Sequence, residues 1–202
     1  ISGSIYIHLY RQSKYYYLGA KQFDLCLISK VTHKWGLENE LENELILIEN
    51  IIKYAENKNI NIVVCLRPQE KNSQQGREGA RREREFYKSL VQEVKNVTLV
   101  AHDSCSFSTY SAISKSKVVI TQISTLGFEA VELGSRTLFF QPLEFEYKIP
   151  ADYQFSVFSQ NYDMFSNMLS RLLTISDSDY DAGVLNFKKK YIANGKILTS
   201  FQ

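Results

Sequence analysis

A three-layer α/β domain with a mainly parallel sheet is the fold that this sequence predicts. Three observations predict it. Short apolar runs rich in Val, Ile and Leu recur between residues 23 and 140. Amphipathic helical patterns fill the intervals, and strands alternating with helices imply parallel strands joined by crossover helices. Residues 117–142, KVVITQISTLGFEAVELGSRTLFFQP, hold a strand, a small-residue turn, a helix and a second strand in succession.

In chain order, residues 4–9 (SIYIHL) read as a first strand, followed by a Tyr-rich polar stretch. Residues 23–29 (FDLCLIS) form a stronger strand, with a loop over 30–36. A helix over 38–57 follows, with Leu41, Leu45, Ile48, Ile52 and Ala55 on one face and Glu42, Glu49, Asn50 and Lys53 on the other. The strand 60–66 ends at Arg67-Pro68, and the polar stretch 69–79 predicts a loop. A helix over 80–94 places Phe86, Leu90, Val91 and Val94 on one side. Then come a strand at 97–101, a loop at 102–107 and a short helix at 108–116. Strand 118–121, helix 128–133 and strand 137–140 complete the alternation. Residues 143–160 look irregular with short extended pieces, and helices are expected over 162–173 and 179–193. Right-handed crossovers bring the carboxyl ends of parallel strands to one edge. That edge collects the loops 30–36, 67–79, 102–107 and 122–127, a cleft in the place where open α/β sheets bind ligands.

Bulk properties narrow the function. The 202 residues suffice for one domain with a sizeable core. Net charge of +2 is too small to imply nucleic-acid binding. Cys26, Cys65 and Cys105 are an odd set with no metal-ligand spacing, which fits a reducing, cytoplasmic setting rather than a disulfide framework or a zinc site. No apolar run reaches the ~18 residues of a membrane span, and no signal peptide is visible. The chain begins at Ile1, as expected of a piece cut from a longer protein. Walker-type phosphate loops, GxGxxG, a nucleophile elbow and HExxH are all missing from the sequence.

The chemistry-bearing residues lie at the expected edge. Ser124-Thr125-Leu126-Gly127 opens a helix directly after a buried strand. A helix N-terminus presents unpaired amides and partial positive charge, so the turn can seat a phosphate. The same residue types are ordinary N-caps, and the parallel-sheet context favours the anion seat. Gly127 keeps the first turn uncrowded and Gly134 suits a left-handed C-cap. Glu129 in this helix can accept hydrogen bonds from a sugar hydroxyl, whereas Glu132 reads as a solvated position. Arg67, after a buried strand, can pair with phosphate through its planar fork. His102 and Asp103 share a loop, and ligand contact by that loop fits better than acid–base chemistry, since adjacent loop residues rarely aim at one atom. The alternating signs from Arg77 to Glu85 suggest a solvated, ion-paired helix. Asp177-Ser178-Asp179 matches a DxD metal motif but reads as a loop and helix cap.

Residues 116–140 (SKVVITQISTLGFEAVELGSRTLFF) resemble the C-terminal half of GT-B-fold glycosyltransferases of bacterial surface-carbohydrate and capsule biosynthesis. INIVVCLRP, REREFYKSL and SFSTYSAISKSK resemble the preceding strand and helices of that group, so the similarity spans 23–142. The resemblance implies a Rossmann-like three-layer sandwich forming one half of a GT-B fold. It implies a single nucleotide-sugar-binding domain over 1–202, part of a longer two-domain protein. It assigns donor phosphate to Ser124, Thr125, Leu126 and Gly127, and a sugar hydroxyl to Glu129. Arg67 stands near where some CMP-sugar transferases carry a His-Pro pair, here replaced by Arg-Pro, and His102 would belong to the same donor site. The implied reaction is sugar transfer from a nucleotide sugar to a surface glycan at the inner face of the cytoplasmic membrane. No metal or further cofactor is expected, and an N-terminal acceptor domain usually supplies the catalytic base, for which this chain offers no candidate. A sugar-nucleotide epimerase-like enzyme and a non-catalytic nucleotide- or sugar-binding module or partner subunit remain alternatives.

Overall fold

The computed structural model describes residues 4–29, 38–56, 58–67, 74–122, 124–143, 149–150 and 152–192. Its centre is a six-stranded sheet in the order β3-β2-β1-β4-β5-β6. The strands are β1 (Phe23–Ile28), β2 (Asn61–Cys65), β3 (Asn96–Val100), β4 (Ser116–Thr121), β5 (Arg136–Phe140) and β6 (Ser156–Val157). All neighbours pair in parallel. This doubly wound, Rossmann-like order reverses direction between β1 and β4, and such a switch point opens a crevice beyond the strand carboxyl ends.

The strands read as near-continuous apolar runs because both faces are covered. On one face Leu25, Leu27, Ile62, Val64, Val118 and Ile120 join a core with α2 (Glu38–Ala55), α4 (Lys88–Glu93) and α7 (Tyr162–Thr174). On the other, Cys26, Ile28, Val63, Cys65 and Val119 meet α5 (Ser108–Ser114) and α6 (Thr125–Glu132). Cys26 and Cys65 are free thiols with sulfurs 3.6 Å apart, and the pairing together with burial pushes the Cys26 thiol well up. An aromatic group around Phe128, Phe139, Tyr153 and Phe187 seals the β5 end. None of the described helices is long and apolar enough to cross a membrane.

Several elements depart from the sequence expectation. Residues 4–9 belong to a helix, α1 (Ile5–Gln12), and not to a strand. The Ser4 side chain accepts from the Tyr6 amide to start it, and Ile7 and Tyr10, three apart, form its buried stripe. The alternation of Ile5, Ile7 and Leu9 was therefore misleading: Ile5 and Leu9 are exposed. Helix α2 lies where expected but is rotated about its axis. Leu41 and Leu45 are 38% and 46% exposed, while Asn43, Glu44 and Asn50 are buried beside Leu47 and Ile51. The stretch 74–79, expected in a loop, is the start of α3 (Gln74–Phe86), stabilised by Glu78 pairing with Arg81 and Arg82 three and four residues on. The chain breaks at the buried Tyr87 before α4, so the single helix expected at 80–94 is two. Helix α6 begins at Thr125, earlier than expected, and the last helix, α8 (Asp177–Phe187), runs into a π-helical turn at Lys188–Ile192. Asp177 and Asp179 act as the helix start: Asp177 pairs with Arg136 at 2.7 Å, and the Asp179 amide donates to the Ser176 hydroxyl. The loop expected over 30–36 lies outside the described residues.

Candidate functional site

Four strand ends meet at the switch-point edge. Ser29 follows β1, Arg67 follows β2, His102 follows β3 and Gln122 follows β4. Parallel pairing continues one residue past the strands, since the Ser29 amide donates to the Cys65 carbonyl and the Leu66 amide to the Val100 carbonyl. The loops therefore start from a fixed frame.

Ser124 holds an extended conformation at the N-cap of α6, and its side chain makes no cap hydrogen bond. Its carbonyl accepts from the Gly127 and Phe128 amides at 3.0 and 3.3 Å. The capping role that competed with anion binding in the sequence is thus not taken up by the Ser124 hydroxyl. The amides of Thr125 and Leu126 lie in the first turn, where no preceding helical carbonyl can reach them. Thr125 is exposed and Leu126 half-buried against both the α5 side of the core and α1. Behind the turn, the buried Thr121 Oγ1 has no hydrogen-bond partner among the described residues.

Gly127 has a packing role that its position in the turn did not reveal. A Cβ there would lie 2.6 Å from the Phe139 ring and 2.7 Å from Thr121 Cγ2, so the missing side chain lets α6 press onto β4 and β5. Its amide already donates to Ser124. The other end of the helix matches expectation. Gly134 sits at φ +83°, its amide donating to Val131 and the Ser135 amide to Ala130, a Schellman closure.

Glu129 is half-buried one turn into α6, and its Oε2 accepts from the Tyr110 hydroxyl at 2.9 Å. Desolvation raises its pKa, and hydrogen bonds from Ser4 and Tyr110 oppose part of that rise. Glu132 is not a free solvated position. It is half-buried, accepts from the Ser4 amide at 3.4 Å, and its carbonyl accepts from Arg11, so it helps to tie α1 onto α6.

The His102–Asp103 pair separates. His102 Nδ1 lies 3.5 Å from Thr109 Oγ1. Asp103 instead folds its own loop, accepting from the Cys105 amide at 3.0 Å and the Ser106 hydroxyl at 2.5 Å. The half-buried Arg67 donates its amide to Glu83 Oε1 at 2.9 Å.

Two carboxylates at this edge escaped the sequence reading. Glu83, placed there in a solvated charged helix, is 1% exposed and accepts from the Ser29 hydroxyl at 2.5 Å as well as from the Arg67 amide. Glu44 on α2 is also 1% exposed. It accepts from Gln122 Nε2 at 2.7 Å and from the Tyr87 hydroxyl. Burial and the neighbouring Glu44 push the Tyr87 phenol well above its usual range, which keeps it a donor. These side chains cross-brace the loops after β1, β2 and β4. The helical period of Leu47, Ile48, Ile51 and Tyr54 extrapolates back to Glu44, and this is the signal that could have found it.

The arrangement defines an α/β protein with a Rossmann-like sheet and an open helix N-terminus at its switch point. The chain belongs to the family described as "putative O-antigen biosynthesis protein", whose model matches residues 3–187. Among curated proteins no match was found. Two solved structures share the fold. One is titled a "putative UDP-N-acetylglucosamine 2-epimerase" from Listeria monocytogenes, with TM-score 0.53 and 14% identity over 89% of this chain and 41% of that one. The other is UDP-GlcNAc 2-epimerase from Neisseria meningitidis bound to UDP-GlcNAc, with TM-score 0.51 and 17% identity over 81% of this chain and 39% of that one. The chain thus spans about two fifths of the length of these neighbours.

Proposed function

We propose that this chain is the nucleotide-sugar-binding domain of a protein of O-antigen assembly, holding the donor's phosphates at the start of α6. The observation that carries this reading is the Ser124–Thr125 turn. It combines a hydroxyl left out of capping with first-turn amides at the switch point of a parallel sheet. The Ser124 and Thr125 hydroxyls and the Thr125 and Leu126 amides would contact phosphate, with Gly127 setting the height of the turn. Arg67 would approach from the β2 end, and His102 from the β3 end. Glu129 would accept from a sugar hydroxyl of the nucleotide. Negative charge on a departing nucleoside diphosphate would be stabilised by the helix N-terminus and Arg67.

Two reactions use such a site. Glycosyl transfer to a growing bacterial surface glycan fits the sequence resemblance and the O-antigen family. Epimerisation of a nucleotide sugar is supported by the two structural neighbours. Either needs groups beyond this domain, in keeping with its two-fifths share of those chains. A second domain would supply acceptor contacts and the base, and the reaction would take place on the cytoplasmic side of the membrane. Calorimetric titration of the chain with UDP, CMP and GDP tests the shared premise. Saturable heat with at least one nucleotide is expected, most plainly with UDP. Absence of heat with all three at millimolar concentration contradicts the assignment.

A further inference from the structure

Residues 1–23 carry Arg11, Lys14 and Lys21 and no Asp or Glu, although the whole chain is nearly balanced at +2. The first acidic residue, Asp24, is already paired with Lys117 at 2.7 Å. Five of the eleven large apolar side chains exposed among the described residues lie in the same segment: Ile5, Tyr6, Leu9, Tyr15 and Leu18. Leu18 is 82% exposed and Ile5 66%.

Helix α1 gathers them on one side. Ile7 and Tyr10 are buried, and Tyr10 stacks on Tyr110 of α5 with ring centroids 5.6 Å apart. With about 3.6 residues per turn, Ile5 and Leu9 share the side of the helix turned away from that buried pair. The following stretch folds back onto the helix. The Tyr17 amide donates to the Tyr10 hydroxyl at 3.3 Å, and the Tyr16 ring meets Tyr10 edge-on at 5.3 Å. Cations rim the patch. Lys14 Nζ lies 5.3 Å from the Tyr15 ring centroid, and Lys115 Nζ 5.3 Å from that of Tyr17. Arg11 is exposed and donates to the Glu132 carbonyl at 3.2 Å. The Glu132 carboxylate is half-buried and accepts from the Ser4 amide. Leu126 of α6 packs on the Ile7–Tyr10–Tyr110 cluster, so whatever α1 docks on also orients the domain behind it.

Exposed aliphatic side chains, tyrosines and cations without acids complement an anionic lipid surface. There, apolar side chains enter the headgroup–acyl boundary, tyrosine rings sit at headgroup level and Lys or Arg stems reach out to the phosphates. A protein partner fits less well, since Lys is depleted at protein–protein interfaces.

We propose that α1 and the stretch 15–18 dock this chain on an anionic bilayer surface, with Ile5, Leu9 and Leu18 entering the boundary and Arg11 and Lys14 meeting lipid phosphates. This is independent of the donor-binding reading above.

The test is co-sedimentation of the full chain with two kinds of vesicle: phosphatidylcholine alone, and phosphatidylcholine with phosphatidylglycerol in equal parts. The chain should partition onto the mixed vesicles about tenfold or more better than onto the neutral ones, and added salt should erase the difference. Lys14→Gln should weaken partition onto the mixed vesicles about fivefold. Leu9→Ser and Leu18→Ser should each weaken it about tenfold with an unaltered thermal midpoint. Leu18 lies outside the helix, so its variant keeps the test open if Leu9→Ser does not fold. Val91→Ser removes an exposed apolar side chain from α4, on the other face of the sheet, and should bind as the wild type does. No binding to the mixed vesicles, equal binding to both kinds, or full binding by Lys14→Gln and Leu18→Ser overturns the proposal. Self-association in lipid-free buffer that Leu18→Ser abolishes, without vesicle binding, also overturns it and gives the face to a second copy of the chain.

Discussion

The two sides of the switch point differ in what their polar groups are already doing. On the β1–β2 side, Glu83 ties the Ser29 hydroxyl to the amide of the half-buried Arg67, and Ser29 and the Glu83 carboxylate are withdrawn from solvent. On the β4 side, Ser124 leaves its hydroxyl out of capping and Thr125 faces outward at an open helix end. The first arrangement makes a frame, and the second is the end at which we propose that the donor's phosphates bind. Buried polar groups must be satisfied internally, so they stiffen the loops around a ligand, while groups at an open helix end keep hydrogen-bonding capacity for it. A carboxylate is therefore not a site marker by residue type alone. Glu83 and Glu129 both sit near the edge, but Glu83 is sealed in and Glu129 is half-buried.

The largest effect that can break this contrast is on the frame. Glu83→Ala leaves the buried Ser29 hydroxyl and the half-buried Arg67 amide without their acceptor, and a loss of about 3 kcal/mol is expected in urea unfolding. A loss below roughly 0.5 kcal/mol would show that Glu83 is no brace. Gly127→Ala comes next. Its methyl would meet the Phe139 ring and Thr121, and about 2 kcal/mol of stability should go, whether or not nucleotide is present. On the β4 side, Thr125→Val should weaken UDP binding about tenfold, by calorimetry, with an unaltered thermal midpoint. A fall in the midpoint with unchanged affinity would reverse the roles assigned to the two sides.

The smallest effect sharpens the standing of Glu129. Its pKa is raised in the folded chain, so the native state favours the protonated form. Its stabilising contribution is then complete below the ordinary carboxylate pKa of about 4.3 and is lost as pH rises through the raised folded value. The wild type should lose stability relative to Glu129→Gln as the pH is taken from about 4 towards 7. Parallel stability–pH curves for the two proteins would contradict this.

The alternation of strand and helix was legible because fully buried parallel strands are written as plain apolar runs such as Ile62–Cys65 and Val118–Ile120. The turn at Ser124 was legible because small polar residues between two such runs leave little choice of conformation. What failed did so for identifiable reasons. In α1, three apolar residues at alternate positions imitate a strand, and only Tyr10 meeting Tyr110, far away in sequence, decides for a helix. In α2, Leu41 and Leu45 outweigh Glu44 in any hydrophobic count, yet Glu44 is the one buried, because Gln122 and Tyr87 wait for it across the sheet edge. Glu83 sits in a run of charges that is otherwise solvated, and its pairing partners come from strand ends that sequence periodicity cannot locate. Gly127 looked like turn chemistry, and its need is set by an aromatic ring on β5. The brace was invisible for one common reason: it is built from long-range partners.

The most direct measurement is a crystal structure of the chain soaked with UDP. The account predicts the diphosphate at the start of α6, its oxygens about 3 Å from the Ser124 and Thr125 hydroxyls and the Thr125 and Leu126 amides, with Glu83 and Glu44 still buried and unmoved. A diphosphate bound anywhere else, with the α6 turn empty, would contradict it.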